Sequence, residues 1–343
     1  MASFTLVALS LCAFAGSCEA FWRMPCRTRT GLARMDPIIS PGIVSEHAHA
    51  IHGGNNFSLN TTYPDLLASN CTSCAAVQDK SAYWTPSLMF VHADGTTEVL
   101  PQKGGMLVYY FLHGETVQPF PPYFSMVAGN STRRSFTASQ FDSLSQDSLY
   151  QRAIGFNCLN YSAPAEPSLA RHYLPPKSFT DAQCLDGLRL ELMFPSCWNG
   201  EANATDHKSH LAYPDQVMDG NCPEDYPQHL PALLFETIWD TYAYKDLQGE
   251  FILSNKDTTG YGYHGDFMNG WRTDILQRAI VECTDMSGMI EKCSVFSLQP
   301  NEENPGCVFT PPQELANEDC AGPRDGLCGT SRPSSKVNGK GEK

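Results

Sequence analysis

The chain has 343 residues, of which 42% are hydrophobic and only 17% are charged, and its formal net charge is −14 at pH 7. Average globular chains carry about 25% charged residues, so this composition disfavours long charged helices and coiled coils. No basic stripe is visible, which argues against a nucleic-acid-binding protein. The length predicts one or two domains of roughly 100–200 residues each.

The first segment predicts a secretory signal peptide at residues 1–20. Residues 4–15 are mostly apolar, and small residues follow at Gly16, Ser17 and Ala20. We therefore expect cleavage near Ala20. The apolar run is shorter than the ~18 residues of a membrane span, and no later segment is long enough. The sequence predicts a secreted protein, extracellular or in the cell wall, with no membrane span.

The cysteines and glycosylation sequons agree with secretion. Of 14 cysteines, Cys12 and Cys18 fall in the predicted signal peptide, which leaves an even number. An even count in a secreted chain predicts up to six disulfides of unknown pairing. Cys71 and Cys74 form a CxxC pattern that we interpret as structural rather than as a redox or zinc pair. N-linked glycans are predicted at six sequons: Asn56, Asn60, Asn70, Asn130, Asn160 and Asn203.

The predicted elements, in chain order, are mostly strands. An Ala-Asp-Gly turn at 93–95 separates apolar segments 87–92 and 96–100 and predicts a hairpin. Further strands are predicted at 105–112, 188–194 and 249–254, and helices at 139–152 and 268–283. We expect a mainly β fold, a β-sandwich or jelly roll with long loops, a few short helices and several disulfides.

Composition also predicts the domain organisation. Residues 21–300 have a uniform composition without an obvious linker and are predicted to form one domain. Residues 301–329 are rich in cysteine and proline and predict a small C-terminal appendage. Residues 330–343 are polar and predict a disordered tail.

The first candidate cluster is the segment 45–54. In a strand, alternate side chains share a face, so His47 and His49 would point together toward a metal or a substrate. His52 lies just beyond them, before a glycine turn. The alternative is a set of hydrogen-bonded histidines in a polar loop.

The second cluster spans residues 206–213. On a helical turn His207 and His210 would share a face, and Asp206 could fix the tautomer of a neighbouring imidazole. Tyr213 adds a phenol nearby. The alternative is a polar loop beside a glycan at Asn203.

The third cluster follows glycines 260 and 262. In an extended segment His264 and Asp266 would share one face, and the glycines would let the backbone approach a ligand closely. The alternative is a glycine-rich hairpin in which the aspartate caps a helix beginning near Met268.

A carboxylate and three aromatic side chains complete the candidate set. Glu236 and Asp240 would lie ~13 Å apart along a strand, which exceeds the ~5–9.5 Å of glycosidase carboxyl pairs. Glu236 could therefore act only with a residue elsewhere. Tyr83, Trp84 and Trp271 could stack on sugar rings, although most such residues belong to the core.

Several motifs in this order resemble the DUF1996 family of secreted proteins of unassigned function, abundant in fungi and often joined to a carbohydrate-binding WSC domain. They are FWRMPC at 21–26, ARMDPI at 33–38, HAHAIHGG at 47–54, SAYWTP at 81–86, PSCWNG at 195–200, DHKSHLAYP at 206–214 and GYGYHGDFMNGW at 260–271. The resemblance covers residues 21–290. It departs at Asn199, where the family usually has Asp, and at Glu46, where a small residue is common.

The resemblance implies secretion and, by analogy, a cell-wall or polysaccharide setting. The family's polar motif positions fall on Asp36, His47, His49, His52, Asp206, His207, His210, His264 and Asp266.

Together these observations predict a carbohydrate-active protein of the fungal cell wall, a hydrolase or a lyase that binds a polysaccharide. The residues expected to be catalytic are His47, His49, Asp206, His207, His210, Tyr213, His264 and Asp266. Those expected to bind substrate are Asp36, His52, Tyr83, Trp84, Glu236 and Trp271. The sequence specifies no cofactor. Two alternatives stay open: a non-catalytic wall-binding protein, and a metal-binding protein that uses His47, His49 and His210, with His207 or His264 as the other candidates for the third ligand.

Overall fold

The computed structural model describes residues 21–141, 143–300 and 306–330, so the predicted signal peptide and residues 331–343 of the predicted tail lie outside the described residues. The strands are β1 (Phe21–Cys26), β2 (Gly31–Ala33), β3 (His49–Gly53), β4 (Ala82–Pro86), β5 (Leu88–His92), β6 (Thr96–Val99), β7 (Gln102–Phe111), β8 (Ser125–Gly129), β9 (Ile154–Leu159), β10 (Gly187–Met193), β11 (Cys197–Trp198), β12 (Leu211–Ala212), β13 (Gln228–His229), β14 (Ala232–Trp239), β15 (Gly249–Leu253), β16 (His264–Met268) and β17 (Arg324–Asp325).

The helices are few and short. They are α1 (Tyr63–Leu67), α2 (Ala138–Phe141), α3 (Gln146–Arg152), α4 (Lys177–Gln183) and α5 (Thr273–Glu282), with 3-10 turns at Thr241–Tyr244, Ile290–Lys292 and Gln313–Leu315. Within the described ranges, no helix combines the length and apolar character needed to cross a bilayer.

Two five-stranded antiparallel sheets form the body of the protein. The first sheet has the strand order β1-β7-β14-β10-β9, and the second sheet has the order β2-β3-β4-β16-β8. A four-stranded sheet, β15-β5-β6-β17, and a three-stranded sheet, β12-β11-β13, complete the arrangement. The prediction of a mainly β protein is therefore confirmed.

The main core lies between the two large sheets. Because side chains alternate along a strand, Tyr83 of β4 and Phe267 of β16 point toward the first sheet, and Tyr83 contacts Phe235 of β14 with ring centroids 5.5 Å apart. On the opposite face of the second sheet, Trp84 and Ile51 pack in a smaller core with loop residues. The second sheet is thus covered on both faces.

The predicted hairpin is confirmed as β5 and β6, and the other predicted strands correspond to β7, β10 and β15. The predicted helices were partly wrong. The segment 139–152 forms two short helices, α2 and α3, with a break between them. Met268 ends strand β16, and α5 begins only at Thr273, after a bend at Trp271.

Six disulfides cross-link the described chain, as the even cysteine count predicted. The pairs are Cys26–Cys74, Cys71–Cys307, Cys158–Cys184, Cys197–Cys222, Cys283–Cys293 and Cys320–Cys328. Cys71 and Cys74 bond to different distant partners, so the CxxC pattern is structural. Cys71–Cys307 ties the C-terminal segment to the main body, where Phe309 is buried against Gly31.

Candidate metal centre

Strand pairing in the second sheet brings two distant histidines together. His49 of β3 lies opposite Pro86 of β4, and the β4–β16 register, which pairs Trp84 with Asp266, places Pro86 beside His264. Neighbouring strands are ~4.8 Å apart, so the backbones of His49 and His264 are separated by roughly 10 Å across one intervening strand. Both side chains leave the same face of the sheet, and their ring centroids are 5.9 Å apart.

His47 completes a cluster of three imidazoles. It lies in the segment just before β3, and its ring centroid is 4.3 Å from that of His49 and 5.1 Å from that of His264. Its Nε2 atom is 3.1 Å from Nε2 of His264. One ring nitrogen from each of the three residues lies within 4.8 Å of the others, which is close enough for all three to ligate one metal ion.

Backbone carbonyls fix the tautomers of two of these rings. Nδ1 of His264 is 2.9 Å from the carbonyl oxygen of Gly262, and Nδ1 of His49 is 3.1 Å from that of Met35. A carbonyl can only accept, so each Nδ1 carries the proton and each Nε2 keeps a free lone pair. Carbonyl contacts of this kind orient metal-ligating histidines in known sites.

Burial keeps the histidines in the neutral form that binds metals. Burial first, and the neighbouring histidine second, lower the pKa of both His47 and His264 to about 3. The pKa of His49 is also lowered well below its ordinary value, again by burial first. Near neutral pH the three imidazoles are therefore uncharged, and a metal ion does not have to displace the proton of a cationic form.

Two carboxyl groups adjoin the histidines. Asp266, on the same face of β16 as His264, is fully buried, and within the described residues neither of its carboxyl oxygens nor Nε2 of His49 has a hydrogen-bond partner. Asp36 lies beside them, and one ligand atom each from Asp36, His49 and Asp266 lies within 4.8 Å of the others. Burial raises the pKa of Asp266 well above its usual range. Unpartnered buried polar atoms are rare in proteins and need an explanation such as a bound ion.

The cluster opens into a cleft of about 520 Å³, which we call the metal cleft. His47, His264, Asp36 and Asp266 contribute to its lining. The exposed side chains of Ile39 and Ile43 form an apolar wall. The polar wall is formed by Ser131, Thr132, Arg134, Lys208, Asn255 and the exposed Glu46. His49 is fully buried, so a ligand entering the cleft would meet His47 and His264 first.

The second sequence cluster lies apart from the three histidines. His210 is fully buried, with Nε2 3.1 Å from the carbonyl oxygen of Ser125 and Nδ1 3.4 Å from the amide nitrogen of Ala204, so both ring nitrogens have protein partners. The segment is a turn rather than a helix, and His207 has a φ of 54°. The predicted metal set therefore changes: His264, not His210, accompanies His47 and His49.

Asp206 and Tyr213 also have structural roles here. Oδ1 of Asp206 accepts hydrogen bonds from the amides of Lys208 and Ser209, which holds the turn. Tyr213 is fully buried, and its hydroxyl donates to the carbonyl oxygen of Met193. Neither side chain lines the metal cleft.

The residues predicted to bind substrate are divided between the cleft and the core. Asp36 lines the metal cleft, whereas His52 points to the opposite face of β3, toward the main core. Tyr83, Trp84 and Trp271 are completely buried, so their rings offer no surface on which a sugar could stack.

Glu236 belongs to the first sheet and does not line the metal cleft. It lies directly opposite Glu191 in the β10–β14 pair, and Arg189 bridges the two carboxylates. The pKa of Glu191 is raised to about 7, chiefly by burial. Glu236 therefore has a carboxyl partner elsewhere in sequence, but the pair lies among core side chains.

Sequence reasoning missed several polar cleft residues, among them Arg134, Lys208 and Asn255. Lys208 stands inside the DHKSH motif, yet attention fell on the histidines beside it. Arg134 and Asn255 belong to loops without any recognisable motif. The guanidinium of Arg134 donates to the carbonyl oxygen of Asn255, so these two loops support each other at the mouth of the cleft.

Fold and site together define a disulfide-linked β-sandwich protein with a three-histidine candidate metal centre in an open cleft. The chain belongs to the DUF1996 family, described as a domain of unknown function, whose model matches residues 36–271. That range contains all five residues of the centre: Asp36, His47, His49, His264 and Asp266. Comparisons with curated proteins and with solved structures found no match.

Proposed function

We propose that the protein is a secreted metal-dependent enzyme that cleaves a cell-wall glycan in the metal cleft. The observation that carries the proposal is the convergence of three imidazoles, His47, His49 and His264, with one ring nitrogen of each close enough to bind the same ion. Three imidazole ligands with an open position are typical of catalytic zinc sites, and they also suit copper.

The chemistry available to such a centre is Lewis-acid catalysis. A bound divalent ion would lower the pKa of a coordinated water or polarise a substrate oxygen. Asp266 and Asp36 stand beside the ligands and could accept or return a proton during cleavage. The open side of the centre faces the metal cleft, where His47 is half-buried and reachable.

Two features support an extracellular glycan as substrate. The six disulfides fit an oxidising compartment such as the cell exterior. The polar wall of the cleft carries hydroxyl, amide, cationic and carboxylate groups, all of which can form hydrogen bonds with sugar hydroxyls. Aromatic stacking, expected from the sequence, plays no part in the metal cleft.

The first test is metal binding by the purified protein. We expect one Zn²⁺ per chain by elemental analysis and calorimetry, and we expect His49→Ala to weaken binding by about 100-fold or more. His92→Ala is the matched control, because His92 pairs with Glu98 on a separate sheet and should bind Zn²⁺ like the wild type. Binding that survives His49→Ala would refute the metal centre.

The second test is activity. Zinc-loaded protein is incubated with fungal-wall polysaccharides, and released reducing ends or unsaturated sugars are measured. We expect product from the wild type and none from His49→Ala. A protein that binds Zn²⁺ but releases no product from any polysaccharide would contradict the enzymatic part of the proposal.

A further inference from the structure

The buried face beside the three histidines holds a second set of metal-ligating atoms. Asp36, His49 and Asp266 each place one ligand atom within 4.8 Å of the others, as His47, His49 and His264 do. We call the first set the carboxylate position and the second set the nitrogen position. His49 belongs to both sets, so the two positions are neighbours that share one ligand.

The two positions are distinct points in the cleft. A metal ion binds its ligands at about 2.0–2.2 Å, so the ligand atoms around one ion lie within ~4.4 Å of one another. The five side chains do not form a single set with this spacing: His47 and His264 group with His49, and Asp36 and Asp266 group with His49 separately. An ion therefore binds at one position or at the other.

His49 can serve only one ion at a time. Its Nδ1 donates to the carbonyl oxygen of Met35, which leaves Nε2 as its one nitrogen with a lone pair. This Nε2 atom is buried and has no hydrogen-bond partner in the described parts of the chain. An ion at either position would take the same lone pair, so occupation of one position excludes occupation of the other.

Asp266 is the residue that points to a ligand at the carboxylate position. It is fully buried, it lines the metal cleft, and neither of its carboxyl oxygens has a hydrogen-bond partner among the described residues. Such atoms are rare in proteins and need an explanation. Asp36 is held beside it, because Oδ1 of Asp36 accepts from the amides of Ile38 and Ile39 at 3.2 and 3.0 Å. Two carboxyl groups and one imidazole thus converge on one point.

The charged groups of the cleft have both signs. Asp36, Glu46 and Asp266 supply carboxyl groups, and Arg134 and Lys208 supply cations. Further charges act on these side chains: Asp206 on Lys208, Asp257 on Arg134, and Lys256 on His47. An ion at the carboxylate position would displace any proton from its two carboxyl ligands, since metal ligands bind deprotonated. It would then meet two carboxylates and the single ammonium group of Lys208, whose charge acts on Asp266.

We infer that the centre takes two classes of divalent ion at two positions, one ion at a time. An ion that prefers nitrogen, such as Zn²⁺, binds at the nitrogen position, and an ion that prefers oxygen, such as Mn²⁺, binds at the carboxylate position. Imidazole ligands suit zinc and copper, whereas carboxylate ligands suit manganese and magnesium. This inference rests on the proposed function, because it concerns the ion of the same centre.

The first test counts the nitrogen ligands of bound Mn²⁺ and needs no variant. Wild-type protein is loaded with one equivalent of Mn²⁺ alone, and pulsed electron paramagnetic resonance detects the imidazole nitrogens coupled to the ion. We expect a single histidine nitrogen, that of His49. Three histidine nitrogens would place Mn²⁺ at the nitrogen position and overturn the inference, as would the absence of any bound Mn²⁺.

Two variants should show opposite selectivity in calorimetric titrations with each metal alone. Asp36→Asn keeps an oxygen for the two backbone amides but loses the charge, so we expect Mn²⁺ affinity to fall by about 100-fold and Zn²⁺ affinity to change by less than about 3-fold. His47→Ala removes a ligand of the nitrogen position alone, so we expect the reverse.

The matched controls are Asp274→Asn and His92→Ala, which should bind both ions like the wild type, because each lies in a surface ion pair away from the cleft. Melting temperatures of the metal-free proteins show whether each variant folds. If His47→Ala does not fold, His264→Ala takes its place, and the nitrogen count in the wild type decides for Asp36. Equal losses of both ions in each variant would overturn the inference.

Exclusion between the two positions is tested by competition. Zn²⁺ is added to Mn²⁺-loaded protein, free ions are removed, and the bound metals are measured by elemental analysis. We expect one Mn²⁺ to be released for each Zn²⁺ bound, with a total of one ion per chain. A protein that retains one Mn²⁺ and one Zn²⁺ together would overturn the shared use of His49.

The outcome is separable from that of the proposed function. Zinc binding with cleavage of a glycan, but without Mn²⁺ at the carboxylate position, would overturn this inference and leave the proposed function intact. Binding of the two ions at two positions, without cleavage of any polysaccharide, would support this inference and contradict the enzyme.

Discussion

Nε2 of His47 lies 3.1 Å from Nε2 of His264, although the two residues are 217 positions apart in the chain. Nδ1 of His264 donates to Gly262, so its Nε2 can only accept, and Nε2 of His47 must donate in the metal-free protein. A metal ion bound through Nε2 of both residues would require the proton of His47 to move to its Nδ1 atom. The hydrogen bond thus holds two ligands in position before the metal arrives.

Asp266→Asn tests whether the buried carboxyl group supports the metal. The amide has nearly the same shape but cannot take the negative charge, so we expect Zn²⁺ affinity to fall by about 10–100-fold. The free energy of unfolding of the metal-free protein should change little, because burial already favours an uncharged Asp266. Calorimetry and denaturant titration measure the two quantities. Asp274→Asn, at an exposed helix start, is the control, and equal Zn²⁺ affinity in all three proteins would contradict the prediction.

His52→Gln tests the effect of a buried histidine on acid stability. Burial first, and the charge of Arg29 second, lower the pKa of His52 to about 3. The unfolded chain therefore takes up the proton of His52 at a higher pH than the folded protein does. The stability that depends on a neutral His52 is fully present above about pH 6.5 and is lost as the pH falls toward 3. As the pH falls through that window, the free energy of unfolding of His52→Gln should decrease by up to ~1.4 kcal/mol less per pH unit than that of the wild type. Denaturant titrations at several pH values measure the slopes, and equal slopes would refute the assignment.

Tyr83→Phe tests the hydrogen-bonded chain inside the main core. The hydroxyl of Tyr83 donates to Asp79 at 2.6 Å and contacts the hydroxyl of Tyr110, which accepts from Nε1 of Trp271. Removing this hydroxyl leaves buried polar atoms without a partner, so we expect a loss of ~1–3 kcal/mol in the free energy of unfolding.

Tyr161→Phe is the matched control for that substitution, since Tyr161 is 76% exposed. Zn²⁺ affinity should be unchanged in both variants, because Tyr83 faces away from the histidines. A loss of metal binding in Tyr83→Phe would contradict this separation of core and site.

Replacing Cys71 and Cys307 together by Ser tests the long cross-link. The disulfide joins residues 236 positions apart, and closing so long a loop is worth up to ~5 kcal/mol in the chain-entropy model. We expect a lower melting temperature and faster proteolysis of residues 306–330. The pair Cys320 and Cys328, separated by 8 positions, is the control and should give a smaller loss. A larger loss from the short loop would contradict the entropic account.

Local patterns in the sequence predicted part of the site. Strand alternation correctly predicts that His264 and Asp266 share a face of β16. The choice of His264 as the third ligand could not be predicted, because it depends on β4 lying between β3 and β16. Strand order is set by packing across distant segments, which no local pattern encodes.

The same limit explains the aromatic residues and Lys208. Tyr83 and Trp84 read as candidate sugar platforms, but β4 is a central strand covered on both faces, so its side chains are buried. Lys208 looks like one polar residue among several in a turn. In the structure its ammonium group donates to the carbonyl oxygen of Gly129 on β8, far away in the sequence, and the side chain lines the metal cleft.

Paired strands hold His49 and His264, whereas loops build the walls of the metal cleft. The ligand positions are fixed by main-chain hydrogen bonds across β3, β4 and β16. The walls come from segments 36–47 and 127–134, with Lys208 and Asn255. Exchanging these loops would alter which molecules fit without moving the two strand-borne ligands. The second sheet is therefore a scaffold on which evolution, or a protein engineer, could vary substrate choice while keeping one centre.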